Sequence, residues 1–182
     1  MKRIAILGCC GAGKSTLASK LGHRLNIPVI HLDAHYWLPG WVESDETEWR
    51  IKQKSLLESD RWITDGNYSR TLDLRIQAAD TIIYLDFPRY LCLWRIFKRY
   101  FGARSLASYA DAGSHQQYRG TTRPDMAQGC PERLNWDFLV YVWQFRVKQR
   151  KTIFSKLELL KDEKTIMVLQ PSQLNSFLAN IA

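Results

Sequence analysis

Along the chain, short unbroken apolar runs alternate with longer stretches in which apolar residues return every three or four positions. The runs "RIAIL", "IPVIHLD", "RWITDG", "DTIIYLD" and "TIMVL" have strand length and are rich in β-branched residues. Helical spacing predicts a helix from Gly13 to about Leu25 and another over "DETEWRIKQKSLLES", with Ser44 or Asp45 as its N-cap. It also predicts a short helix at "TLDLRIQAA", one from about Pro88 to Phe101, a long one from about Leu134 to Leu160, and a last one at "SQLNSFLAN". Strands that are apolar on both faces, each followed by a helix, imply an α/β protein: a parallel sheet between two helical layers. No repeat or linker divides the chain, so residues 1–182 read as one domain.

One segment breaks the alternation. Gly102 to Arg133 has weak periodicity, four glycines and four arginines. A loop of that length inside a compact domain is either functional or disordered, and a mobile lid is one functional reading.

Composition sharpens the picture in three places. Net charge is +8, and residues 89–151 hold 12 Lys/Arg against 4 Asp/Glu, while the rest holds 14 of each. The excess therefore marks one third of the chain for an anionic ligand, either nucleic acid or the phosphates of a nucleotide. Four cysteines, at 9, 10, 92 and 130, fit neither a disulfide framework nor a zinc site. With no apolar run long enough for a membrane and no signal-peptide core, a soluble cytoplasmic protein is expected.

The densest chemistry lies early. Gly8-Cys9-Cys10-Gly11-Ala12-Gly13-Lys14-Ser15 satisfies G-x-x-x-x-G-K-[ST] between a predicted strand and a predicted helix. Glycines allow the loop to curl with its N–H groups turned toward phosphate oxygens, at a helix end that favours anions. Lys14 is expected on the β- and γ-phosphates, Ser15 on Mg²⁺ and Thr16 near the α-phosphate, with the cysteines as small spacers.

Asp33 and Asp65 end the second and third predicted strands, on the sheet edge where α/β proteins bind ligands. As strand-end carboxylates they either cap turns or serve the site, one holding Mg²⁺ through water and the other taking a proton. Tyr36, Trp37 and Trp41 offer a stiff wall for a substrate pocket or an edge of the core. His31 is expected to face away from the site and His35 to line it. Arg95 and Arg99 share a helix face, as do Arg146 and Arg150, which continue the stripe of Leu139 and Trp143. Guanidiniums on an apolar face need an anion, and with few acids nearby in sequence a transferring phosphoryl group is expected over a carboxylate, which makes all four arginines catalytic candidates.

The blocks "GAGKSTLA", "IPVIHLDAHYW", "ITDGNYS", "YLDFPRYLCLWRIFKR", "YRGTTRPDM" and "FLVYVWQF" follow one another in an order that resembles the adenylate-kinase-like P-loop kinases. Within these the chain is most similar to the small bacterial DNA topology modulation (FlaR-related) proteins. The resemblance implies a P-loop NTPase three-layer sandwich, with five parallel strands in the order 2-3-1-4-5 and a lid insertion over about 102–133. It implies ATP and Mg²⁺ as cofactors, Asp65 as the water-mediated Mg²⁺ residue, and Asn67 and Arg70 of "DGNYSR" on the acceptor side. Arg95 would pack on adenine, Arg99 would contact phosphates, and Arg119 and Arg123 would clamp them from the lid. That lid, with only Cys130 and His115, would hold no metal. Residues from Gln170 to Gln173 would lie near the base. The function implied is transfer of the ATP γ-phosphoryl group to a small-molecule or nucleotide acceptor that Asp33 orients or deprotonates, beside Tyr36 and Trp37. A nucleic-acid-binding, ATP-dependent regulator of DNA topology is the alternative.

Overall fold

The computed structural model describes residues 1–110 and 125–181, with side chains from 103 to 110 left aside. Five strands, β1 (Arg3–Gly8), β2 (Val29–His31), β5 (Trp62–Asp65), β6 (Thr81–Leu85) and β7 (Thr165–Leu169), form a parallel sheet in the order β2-β5-β1-β6-β7. Counted within the sheet this is 2-3-1-4-5, as the resemblance implied. Two further strands, β3 (Trp37–Leu38) and β4 (Val42–Glu43), make a small antiparallel hairpin. The helices are α1 (Lys14–Leu25), α2 (Leu32–Tyr36), α3 (Glu46–Leu56), α4 (Leu72–Ala78), α5 (Arg89–Ala110), α6 (Trp136–Glu158) and α7 (Leu174–Asn180).

The central strands are apolar on both faces because both are covered. Ile4, Ala5 and Ile6 of β1 and Ile82 and Ile83 of β6 are fully buried. In register, Ile6 lies opposite Asp65 and Gly8 opposite Leu85, so the phosphate-loop motif and the β5 carboxylate emerge together at the carboxyl edge. Asp45 caps α3, accepting from the N–H groups of Thr47 and Glu48. Among the described residues no helix is long and apolar enough to cross a membrane.

Three expectations need correction. β2 ends at His31, and Asp33 sits on the single helical turn α2. The ladder stops because β2 has only β5 beside it, and that partner departs at Gly66, with φ of +125°. Helix α5 does not end near Phe101 but runs to Ala110, into the segment assigned to the lid. Finally, the buried stripe of α6 is Val142, Phe145, Ile153 and Leu157, whereas Trp143 is 48% exposed. An amphipathic Trp tolerates that position because the Arg89 guanidinium lies 3.9 Å above its ring.

Candidate active site

The loop after β1 is shaped by contacts that exclude side chains. A Cβ on Gly8 would stand 2.7 Å from the Leu85 carbonyl oxygen, and one on Gly11 would stand 2.4 Å from that of Cys92. Both glycines also have positive φ, at +140° and +80°. The loop closes through Ala12 N–H to the Cys9 carbonyl at 3.1 Å. Lys14 Nζ reaches back to the same carbonyl at 3.0 Å, and Arg95 Nη1 donates to the Ala12 carbonyl at 3.1 Å. Gly13, also at positive φ, is the N-cap of α1 and offers no side-chain cap. The first-turn N–H groups, with Ser15 and Thr16, therefore open on a cavity of about 1180 Å³.

The same cavity is lined by Asp33, Asp65, Tyr36, Trp37, Asn67, Arg70, Arg95 and Arg99. Uncapped amides and an ammonium parked on a carbonyl are what a polyphosphate would occupy, so the residues present fit ATP. Ser15 Oγ and the Asp65 carboxylate are hard oxygen donors suited to Mg²⁺ that keeps waters and phosphate oxygens. Among the described residues no group of three or more His, Cys, Asp or Glu converges as a protein-built metal site. All four cysteines are free thiols, and burial pushes the Cys10 thiol upward.

Asp65 is 4% exposed, and Nδ1 of His31 lies 3.0 Å from its Oδ1. Burial works against a charged imidazole. The hydrogen bond with Asp65, together with that carboxylate's charge, outweighs it and raises the His31 pKa. The expected roles of the two histidines are thus reversed: His31 lines the cavity, while the backbone of His35 takes Lys52 Nζ at 2.9 Å. Helix α2, by turning the chain after His31, rotates residue 35 off the strand-based alternation.

One wall of the cavity is aromatic. Tyr36, Trp49 and Tyr68 form a mutual cluster with centroid distances of 4.5–5.2 Å, and Trp37 meets Trp41 edge-on at 5.2 Å. Trp41 has φ of +65°, an unusual conformation for a bulky side chain. Its indole N–H donates to the Pro131 carbonyl at 3.0 Å, Gly40 N–H donates to Gly129, and the Arg133 guanidinium stacks over Trp41 at 4.4 Å. The β3–β4 hairpin and residues 129–133 are thereby pinned together.

The arginines divide. Arg95 and Arg99 line the cavity, and Arg99 Nε lies 2.8 Å from the Glu132 carboxylate. Arg70 stands at the rim, 2.9 Å from Glu46, while Asn67 Nδ2 points at Cys10 Sγ. Arg146 and Arg150 do not line the cavity. Arg146 is exposed, and Arg150 forks onto Asp86, a partner 64 residues away in sequence. The anion it needs is therefore a carboxylate of the protein and not the expected transferring phosphoryl group. Gln173 also misses the cavity, since its Oε1 receives Gln170 N–H at 2.8 Å, although the next residue, Leu174, lines it. Arg119, Arg123 and His115 lie outside the described residues.

Sequence reasoning missed Tyr68 and Arg75. Tyr68 Oη donates to Asp33, and fully buried Arg75 donates to the carbonyls of Gly66, Asn67 and Tyr68 at 2.6, 3.0 and 3.2 Å. A signal existed for Arg75, a cation within the Leu72–Ile76 apolar face of a short helix.

No family model matches the chain. The chain is 35% identical over 104 residues to an uncharacterized protein, YqaC, of Bacillus subtilis strain 168; the match spans 55% of this chain and 57% of that relative. A gluconokinase from Sinorhizobium meliloti 1021 superposes with a TM-score of 0.51 at 14% identity, over 98% of this chain and 87% of that one. A shikimate kinase from Bacteroides thetaiotaomicron gives 0.51 at 13%, over 98% and 94%. Identities this low speak for architecture alone. The chain has the five-stranded α/β fold of P-loop kinases.

Proposed function

We propose that the protein is an ATP-dependent phosphotransferase that moves the γ-phosphoryl group to a hydroxyl of a small molecule or nucleotide. One observation carries this reading: the uncapped start of α1 and Lys14 face the same cavity as the carboxylates of Asp33, on α2, and Asp65, at the end of β5. Gly8, Gly11, Ala12, Gly13, Ser15 and Thr16 would cradle the triphosphate, with Lys14, Arg95 and Arg99 drawing off its charge. Mg²⁺ held through Ser15 and, by water, Asp65 would supply charge neutralisation at the β- and γ-phosphates. Asp33 would orient or deprotonate the acceptor against the Tyr36–Trp37 wall, with Asn67 and Arg70 beside it. Residues 1–182 act as one unit in this account, in the cytoplasm.

The test is ATP consumption across a panel of nucleoside monophosphates, nucleosides, sugars and small alcohols. A hit well above background hydrolysis is expected, and Lys14→Ala should abolish it while circular dichroism stays native. Undiminished turnover in that variant would remove the loop from the mechanism.

A second reading, a nucleic-acid-binding regulator of DNA topology that uses ATP, is favoured by one surface. Helices α5 and α6 expose Tyr90, Trp94 and Trp143, with Lys98 over Trp94 and Arg89 over Trp143. Exposed rings interleaved with cations suit a polyanion with stackable bases. DNA affinity falling steeply with salt would support it, and absent binding would end it.

A further inference from the structure

We propose that Tyr68 is the residue that positions Asp33 toward the acceptor, and that the buried guanidinium of Arg75 holds Tyr68 in place to do so. The inference rests on the reading of Asp33 as the acceptor-side carboxylate.

Asp33 sits on α2, a helix of five residues. A single turn is too short to hold an orientation without tertiary support. That support arrives from across the cavity as the hydrogen bond that Tyr68 Oη donates to Asp33 Oδ1. The phenol cannot swing away easily, because its ring lies 4.5 Å from that of Tyr36 and 5.2 Å from that of Trp49, centroid to centroid.

Packing fixes the ring, and Arg75 fixes the backbone beneath it. Residues 66–68 leave β5 as an irregular loop whose three successive carbonyls turn to one guanidinium. Burying a cation is costly, and an apolar side chain would fill the same space without that penalty. What only the fork supplies is several donors at fixed angles, which tie three consecutive peptide groups into one conformation. The cost of burying this guanidinium is partly offset, because the negative charges of Asp33 and Asp65 both favour the Arg75 cation. A carboxylate held in one orientation is what proton acceptance from a hydroxyl requires. In that step the hydroxyl oxygen bonds to phosphorus, the bond from phosphorus to the ADP oxygen breaks, and the proton passes to Asp33.

Steady-state ATP turnover with water as acceptor tests this without knowledge of the physiological acceptor. Asp33→Asn is expected to lower kcat about 100-fold. Tyr68→Phe, which keeps the ring in its cluster, should lower kcat about tenfold with the KM for ATP unchanged. The double variant should be no slower than Asp33→Asn alone, because Tyr68 acts only through that carboxylate. Arg75→Lys, which keeps the charge and loses the fork, should follow the same pattern if it folds; the Tyr68 cycle decides in either case. Wild-type kcat in Tyr68→Phe, or a double variant that loses both factors, would overturn the inference while leaving Asp33 in its role. A silent Asp33→Asn, or a folded wild type with no turnover, would overturn the reading of Asp33 and the inference with it.

Discussion

Arg150 grips Asp86 with both edges of its guanidinium, Nε at 3.0 Å from Oδ1 and Nη2 at 2.8 Å from Oδ2. Asp86 follows β6 directly, so the pair ties the middle of α6 to the carboxyl edge of the sheet. Burial alone would raise the carboxyl pKa, but the hydrogen bonds and charge of Arg150, with Arg146 nearby, leave it below the usual range.

A group whose pKa is depressed in the fold stabilises the protein above its unfolded pKa, near 4 for a carboxyl. That contribution is lost as pH falls through the depressed folded value. Arg150→Met should therefore cost about 1–3 kcal/mol at pH 7, the lower end reflecting a side chain still 31% exposed. The same variant should lose less further stability than wild type on going to pH 3. Urea melts at both pH values measure this, and an equal acid response in the two proteins would contradict it.

The phosphate-loop glycines make different demands. Gly11→Ala places a Cβ 2.4 Å from the Cys92 carbonyl, and φ of +80° adds strain, so the loop must move. Gly40→Ala has the same φ sign and nothing within 4 Å. The expected result is a loss of about 1 kcal/mol for Gly40→Ala, from φ strain alone. For Gly11→Ala the loss should be larger and accompanied by at least tenfold weaker ATP binding in calorimetry, with the tenfold worth about 1.4 kcal/mol. Equal ATP affinity in the two variants would mean that the close approach to Cys92 does not shape the loop.

How far the sequence carries depends on the range of the interactions. The strand order follows from a resemblance, and the phosphate loop from a contiguous motif whose glycines answer local contacts. Asp65 is found for the same reason, at the end of a strand buried on both sides. The failures are all relational. His31 and His35 exchange roles because two-residue alternation assumes a strand, and that strand loses its partner at Gly66. Arg150 is read as a phosphoryl ligand because its carboxylate lies 64 positions back along the chain. Trp143 is placed inward because helical spacing puts it in one stripe with Leu139, whereas Arg89 covers it from another helix. Tyr68 has no sequence signal for its bond to Asp33, 35 positions earlier.

Arg75 makes a stability prediction separate from its positioning role. Arg75→Met fills similar volume but leaves the Gly66, Asn67 and Tyr68 carbonyls without their donor. Buried carbonyls left unpaired cost about 1–3 kcal/mol each where water cannot enter. A loss of about 3 kcal/mol or more is expected in urea denaturation. A neutral or stabilising outcome would mean that the cation's desolvation penalty had cancelled the three hydrogen bonds, as happens for some buried ion pairs.

The hairpin offers the last test, since its hold on residues 129–133 depends on a few contacts. Trp41 contributes an indole N–H to the Pro131 carbonyl and a ring face to Arg133. Trp41→Phe deletes the donor and keeps a smaller face, so the expected cost is about 1–2 kcal/mol, from one hydrogen bond and part of a cation–π contact. The backbone strain at φ of +65° persists in the variant, because any L side chain there bears it. Trp41→Gly removes that strain together with the contacts, and should therefore lose less than the deleted contacts alone would cost. Chemical denaturation of the three proteins separates the terms. If Trp41→Gly matches or exceeds wild-type stability, backbone strain outweighs the contacts that pin the hairpin.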